Sequence, residues 1–243
     1  MTLGPVRDRR STGWLKRLAA AYAAELVQPG MVVGLGSGST AELVIRELAA
    51  RVRAGTALTG VPTSRRSERL ARRLGIPLLA PEQAPAIDLA IDGADEVERE
   101  TLHLLKGRGG ALVREKLVAS LARRLVIVVD ASKLVDRLGE RMPVPVEVVP
   151  FAWTGPAREL ERLGGRPVLR IAAPGRPYRT DNGNLILDVD FGPLDRPEAL
   201  AREIKLITGV VDHGLFLGLT DTVIVGEPAG IRVLRREQPS PPA

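Results

Sequence analysis

Along this chain, short unbroken apolar runs alternate with longer segments whose apolar residues recur at helical spacing, and turns rich in glycine or proline separate the two. Ser11 or Thr12 can cap a first helix running to about Val27, with Leu15, Leu18, Tyr22 and Leu26 on its apolar side and Gln28-Pro29-Gly30 as its stop. Met31 to Val33 reads as a buried strand. It runs into Gly34-Leu35-Gly36-Ser37-Gly38-Ser39-Thr40, and Ala41 to Val52 is helical again. Further strands are predicted at 57–61, 76–79, 86–91 and 125–129, with helices at 64–74 and 110–123. Strand and helix alternating in this way predict the α/β class, an open, mostly parallel, Rossmann-like sheet flanked by helices.

The pattern changes after Lys133. Pro143 to Val149 is strand-like, Gly155 to Leu163 helical and Pro167 to Ile171 strand-like, and Asp181-Asn-Gly-Asn184 is a turn signal into a strand at Leu185 to Val189. A helix at about 197–206 and a strand at about 210–217 complete the order β-α-β-β-α-β. The expectation is an inserted, smaller α+β ferredoxin-like domain at 139–220. Residues 1–138 and 221–243 form the main domain, to which Thr222 to Val225 and Gly230 to Leu234 return.

Composition narrows the chemistry. Of 243 residues 44% are hydrophobic but only 3% aromatic, so the interior must be aliphatic. There is no cysteine, which removes disulfides and thiolate chemistry. His103 and His213 are the only histidines, so a histidine-rich metal site is excluded and acid–base work falls to carboxylates, lysines or tyrosines. The net charge of +6 sets thirty arginines and five lysines against 29 acidic residues. The arginines are spread through helix-like segments without aromatic interleaving, as on a solvated surface rather than a nucleic-acid face. In a chain so biased to arginine, Lys16, Lys106 and Lys133 stand out as positions asking for a compact ammonium. No apolar stretch is long enough to span a membrane and no signal-peptide core is present, so a cytoplasmic protein without membrane or nucleic-acid partners is expected. Residues 1–11 and the tail from Gln238 to Ala243 are expected to be poorly ordered.

Candidate chemistry concentrates in Lys106-Gly-Arg-Gly-Gly-Ala-Leu-Val-Arg-Glu-Lys116, which sets a lysine, a glycine loop and a helical carboxylate in one short segment. The glycines let backbone N–H groups approach a ligand, and Glu115 on the following helix faces back toward the loop. The loop Ser37-Gly38-Ser39-Thr40 is neither a Walker motif nor a dinucleotide fingerprint, since Ser39 stands in the third glycine's position. Its hydroxyls and free N–H groups at a helix start suit a phosphate. Asp92-Gly93-Ala94-Asp95 follows an apolar run. Taken singly, Asp92 and Asp95 fit turn chemistry, Glu115 a solvated helix face and Lys133 a loop. Because these loops all follow predicted strands, an open parallel sheet brings them to one edge, which independent surface roles do not require.

On these residues the chain resembles the ribose-5-phosphate isomerase type A family. The matching segments are Gly36 to Thr40, Pro62-Thr63-Ser64, Asp92 to Glu96, Lys106-Gly107 with Arg114-Glu115-Lys116, Asp130-Ala-Ser-Lys133, Leu163 to Pro167 and Thr180-Asp-Asn-Gly-Asn184. They run in order through nearly the whole chain. The resemblance implies interconversion of ribose 5-phosphate and ribulose 5-phosphate in the non-oxidative pentose phosphate pathway, without metal or organic cofactor, in a homodimer or homotetramer. Carried over by motif, the catalytic base falls on Glu115, with Asp92, Asp95 and Lys106 also catalytic. Substrate contacts fall on Lys16, Ser37, Gly38, Ser39, Thr40, Asp92, Gly93, Ala94, Asp95, Lys106, Gly107, Arg108, Gly109 and Lys133. Two positions depart from the usual pattern: Arg108 stands where glycine is common, and Val113 where threonine is. The rival readings are a non-catalytic sugar-phosphate-binding domain, for which the chain has no spare length to hold an output module, and acyl or amino-sugar-phosphate chemistry on a related fold, against which the motif order argues.

Overall fold

The computed structural model describes residues 9–84 and 86–236, with side chains from Gly13 onward. From the amino end the chain forms α1 (Arg9–Glu25), β1 (Val32–Leu35), α2 (Gly38–Arg53), β2 (Thr59–Pro62), α3 (Arg65–Arg73) and β3 (Leu89–Asp92). Then come β4 (Glu96–Glu98), β5 (Leu104–Leu105), α4 (Leu112–Leu121), β6 (Leu125–Asp130) and β7 (Leu134–Val135). The next stretch holds β8 (Val144–Val148), α5 (Thr154–Arg162), β9 (Arg166–Leu169), β10 (Ile171–Ala173), β11 (Arg176–Pro177), β12 (Leu185–Asp190), α6 (Pro197–Leu206) and β13 (Val210–His213). It ends with β14 (Leu215–Phe216), β15 (Thr222–Glu227) and β16 (Gly230–Arg235).

Six strands make the main sheet in the order β16-β15-β6-β3-β1-β2, parallel throughout except for the edge hairpin of β15 and β16. Because β1, β3 and β6 run parallel in close register, their carboxyl ends at Leu35, Asp92 and Asp130 open onto one edge. A second, antiparallel sheet runs β13-β8-β12-β9 and carries α5 and α6, the ferredoxin-like order expected from the sequence. Two apolar layers cover the faces of the main sheet and a third fills the second unit. They are built from Ala, Val, Leu and Ile, with Phe216 the one aromatic among the largest fully buried side chains.

Four expectations need correction. Residues 76–79 form no strand: Leu78 makes a single parallel bridge to Gly60, since the short run has no second neighbour to pair with. The segment 210–217 is not one strand, because the chain turns at Gly214 and β14 joins a small third sheet, β14-β5-β4-β7, that the pattern did not reveal. Helix α1 already includes Arg9, so Ser11 and Thr12 lie inside it rather than capping it, and Arg9 to Ser11 belong to a helix instead of a loose terminus. The rest of the polar start and the tail from Gln238 lie outside the described residues. On α1 the buried stripe is Leu15, Ala19, Ala20, Ala23 and Ala24, while Tyr22 is exposed. Small side chains let the helix sit close to the sheet, where a tyrosine has no room.

Candidate active site

The loops at the sheet edge enclose a crevice of about 350 Å³ lined by Ser37 to Thr40, Gly93 to Asp95, Lys106 to Gly109, Glu115, Lys16 and Lys133. Local structure explains how each arrives. The chain leaves β1 through Gly36, where a Cβ would come within 2.4 Å of the Asp92 carboxyl carbon, so only glycine lets β1 and β3 close up here. Ser37 then precedes the first turn of α2, aiming free N–H groups into the crevice. Its own groups are committed: the N–H donates to Asp92 Oδ1 at 3.0 Å, and Oγ lies 2.8 Å from Thr63 Oγ1 and 2.7 Å from Ser64 Oγ. The motif Pro62-Thr63-Ser64 thus anchors the loop, leaving Ser39 and Thr40 as its open hydroxyls.

Lys106 follows β5 and is buried. Its Nζ donates to Gly93 O at 2.5 Å and stands 3.2 Å from Asp92 Oδ2 and 3.3 Å from Glu115 Oε1, above the Phe216 ring. Burial alone would push the ammonium's pKa down, but Asp92, Glu115 and Asp95 reverse the sign and hold it above the usual lysine range. Glu115 sits in the first turn of α4. Burial raises its pKa from 4.5 to about 8, against the lowering effect of Lys106, and Asp92 adds to the rise. Its Oε2 is buried and meets no hydrogen-bond partner among the described residues.

Asp92 lies under the crevice rather than in its wall, with Oδ1 accepting from the Ser37 and Gly93 N–H groups. Asp95 is in the wall, where its Oδ2 accepts from the Arg108 N–H at 2.9 Å, and the Arg108 side chain is exposed at the rim. Lys16 reaches the crevice from α1, 3.6 Å from Asp130 Oδ2, while Asp130 Oδ1 caps the turn that carries Lys133. Sequence reasoning missed Asp130 as the shared support of both lysines and Phe216 as the floor under Lys106. Asp130 was visible only as the first residue of a motif. Behind that floor Lys116 Nζ sits 5.0 Å from the Phe216 ring centre, paired with Asp212 at 2.6 Å, and burial beside Lys116 lowers the His213 pKa to about 4. Among the described residues no group of three His, Asp or Glu side chains could hold a metal ion, and no helix is long and apolar enough to cross a membrane.

The ribose 5-phosphate isomerase A (phosphoriboisomerase A) family model matches residues 59–230. The chain belongs to the ribose 5-phosphate isomerase A family. A ribose-5-phosphate isomerase A of Thermomicrobium roseum is 62% identical over 223 residues, covering 92% of this chain and 94% of that protein. One from a Synechococcus strain is 52% identical, covering 91% and 97%. Among solved structures, the ribose 5-phosphate isomerase A of Methanocaldococcus jannaschii superposes with a TM-score of 0.89 at 45% identity over 93% of this chain and all of that one. A D-ribose-5-phosphate isomerase in complex with phospho-erythronic acid superposes at 0.90 with 39% identity, covering 93% and 99%. The family resemblance seen in the motifs is therefore borne out along the chain.

Proposed function

We propose that the crevice interconverts D-ribose 5-phosphate and D-ribulose 5-phosphate through an enediolate, with Glu115 as the group that carries the proton between C2 and C1. Membership of the isomerase A family supports the reaction. The observation behind the residue assignment is the Glu115 carboxyl, buried, raised in pKa and carrying an unpartnered oxygen at the crevice floor. Isomerisation removes the C2 proton of the open-chain aldose; its bonding pair becomes the C1–C2 double bond while the C1 carbonyl takes up negative charge. The O2 hydroxyl proton passes to O1, and the proton returned to C1 as O2 becomes the carbonyl completes the ketose. One carboxylate over both carbons serves first as base and then as acid.

Lys106, charged and 3.3 Å from Glu115, opposes the charge that develops on O1 and O2. Asp92 acts through Lys106 and the Ser37 peptide rather than on the sugar, while Asp95 accepts hydrogen bonds from sugar hydroxyls and assists ring opening. Ser39, Thr40 and the start of α2 hold the phosphate together with Lys16 and Lys133. The phospho-erythronic acid held by a structural relative supports a phosphorylated, oxygen-rich ligand. Residues 139–220 are proposed as the second domain, serving assembly into a homodimer or homotetramer, and residues 1–138 with 221–243 as the catalytic one.

Solvent exchange tests the reading. In D₂O the wild type is expected to incorporate deuterium at C1 of ribulose 5-phosphate, and Glu115→Gln to neither exchange nor isomerise, losing at least about 10²–10⁴ in kcat. Exchange at wild-type rate in Glu115→Gln moves the base to Asp95.

A further inference from the structure

The glycine loop after Lys106 is held from outside the main sheet. Arg170 Nη1 donates to the carbonyls of Gly107 at 2.9 Å and Arg108 at 3.1 Å, while Nε and Nη2 make a two-point pair with Asp188 on β12. Tyr178, whose N–H donates to Arg170 O at 2.8 Å, lies with its ring centre 5.8 Å from the guanidinium, and its hydroxyl donates to Gly109 O at 3.3 Å. Three successive loop carbonyls are thus drawn toward the second unit. In a trans peptide the N–H points opposite to the C=O. The N–H groups of Arg108 and Gly109 therefore turn toward the crevice that these residues line. That of Arg108 is taken by Asp95, whereas that of Gly109 meets no acceptor among the described residues.

We infer that Arg170 is a positioning residue for the isomerisation: with Asp188 and Tyr178 it orients the 107–109 peptides so that the Gly109 N–H donates to the enediolate oxygen beside Lys106. The inference rests on the proposed site. An arginine suits the task because one edge of its planar fork locks onto a carboxylate while the remaining nitrogen reaches two carbonyls, which a lysine cannot do. A fixed N–H gains more from an enediolate oxygen than from a neutral carbonyl or hydroxyl, so its misorientation falls on kcat rather than on KM.

The test compares two ligands on the full-length protein. Phospho-erythronic acid carries a planar anionic carboxylate that copies the enediolate, and ribitol 5-phosphate offers only hydroxyls at that end. Since deleting one such donor outright costs about 10²–10³ in kcat, Arg170→Gln is expected to lower kcat by about tenfold to a hundredfold with KM little changed. It should weaken phospho-erythronic acid by a similar factor and leave ribitol 5-phosphate unaffected. Arg170→Lys should recover part of the loss, and Asp188→Asn should show the same ligand discrimination in milder form. Equal weakening of both ligands, a kcat loss that tracks a fall in melting temperature, or wild-type kinetics overturns the inference. If Arg170→Gln fails to fold, Arg170→Lys and Asp188→Asn carry the comparison. Glu115→Gln is run alongside: full activity there sinks the proposed site, whereas its inactivity beside a normal Arg170→Gln sinks this inference alone.

Discussion

Glu115 gives the sharpest residue-level consequences. Its activity as a base needs the ionised form, so kcat/KM should rise with pH on a limb near 8, where burial has moved the group, rather than near 4.5. A limb at about 4.5 in the pH–rate profile contradicts this. Stability runs the other way. A carboxyl whose folded pKa exceeds its unfolded value holds its proton more tightly in the folded state, so the stability linked to it is full below 4.5 and lost as pH rises through about 8. Glu115→Gln should therefore melt higher than the wild type at pH near 9, with the gap closing toward pH 5, each kcal/mol being worth about 2–4 °C. Lys106→Met removes the cation that lowers the Glu115 pKa, so it should cut kcat and push the acid limb further alkaline. Glu115 and Lys106 were legible in the sequence because both sit in one short stretch with a glycine loop between them. Arg170 was not: it is one of thirty arginines, and what distinguishes it is the pair of carbonyls it meets across the fold.

At the scale of elements, the turn Thr180 to Asn184 is a clamp. Glu147 on β8 is buried, and its Oε1 accepts from Thr180 Oγ1 at 3.0 Å, Asn182 Nδ2 at 3.2 Å and Asn184 Nδ2 at 2.8 Å. Asn182 Oδ1 in turn accepts from Arg114 Nε at 2.8 Å, one residue before Glu115 on α4. Removing a donor from a buried carboxylate costs about 1–3 kcal/mol, so Asn184→Ala should lower the urea midpoint with little change in kcat. Loss of activity without loss of stability would show that the clamp sets the geometry of α4 instead. The turn was readable as Asn-Gly chemistry, but its carboxylate partner lies in a strand more than thirty residues away. The main parallel strands and most helices were legible for a similar local reason, since their apolar periodicity is complete within each segment. The third sheet was not, because strands as short as β5 and β14 carry no period of their own.

Across the whole molecule, the crevice gathers residues from α1, the start of α2, the segments that follow β3, β5 and β6, and the first turn of α4, and the second unit reaches back to hold the loop after β5. No metal-ligating cluster is found among the described residues, and the groups proposed for proton transfer and charge stabilisation are all side chains and backbone amides. Protein dialysed against EDTA is therefore expected to retain full isomerase activity. Loss restored only by a divalent ion would count against it.

Helix α1 lies so tightly on the main sheet that a Cβ at Gly226 would come within 2.4 Å of the carbonyl oxygen of Leu15, the residue before Lys16. The seat of α1 is shared between β6 and β15. An early helix thus depends on a strand translated near the end of the chain, and such distant pairing forms late. A nascent chain stalled before Thr222 carries the residues of its glycine loop, its Lys106–Glu115 pair and the Asp130 partner of Lys16, but lacks the β15 half of the seat of α1.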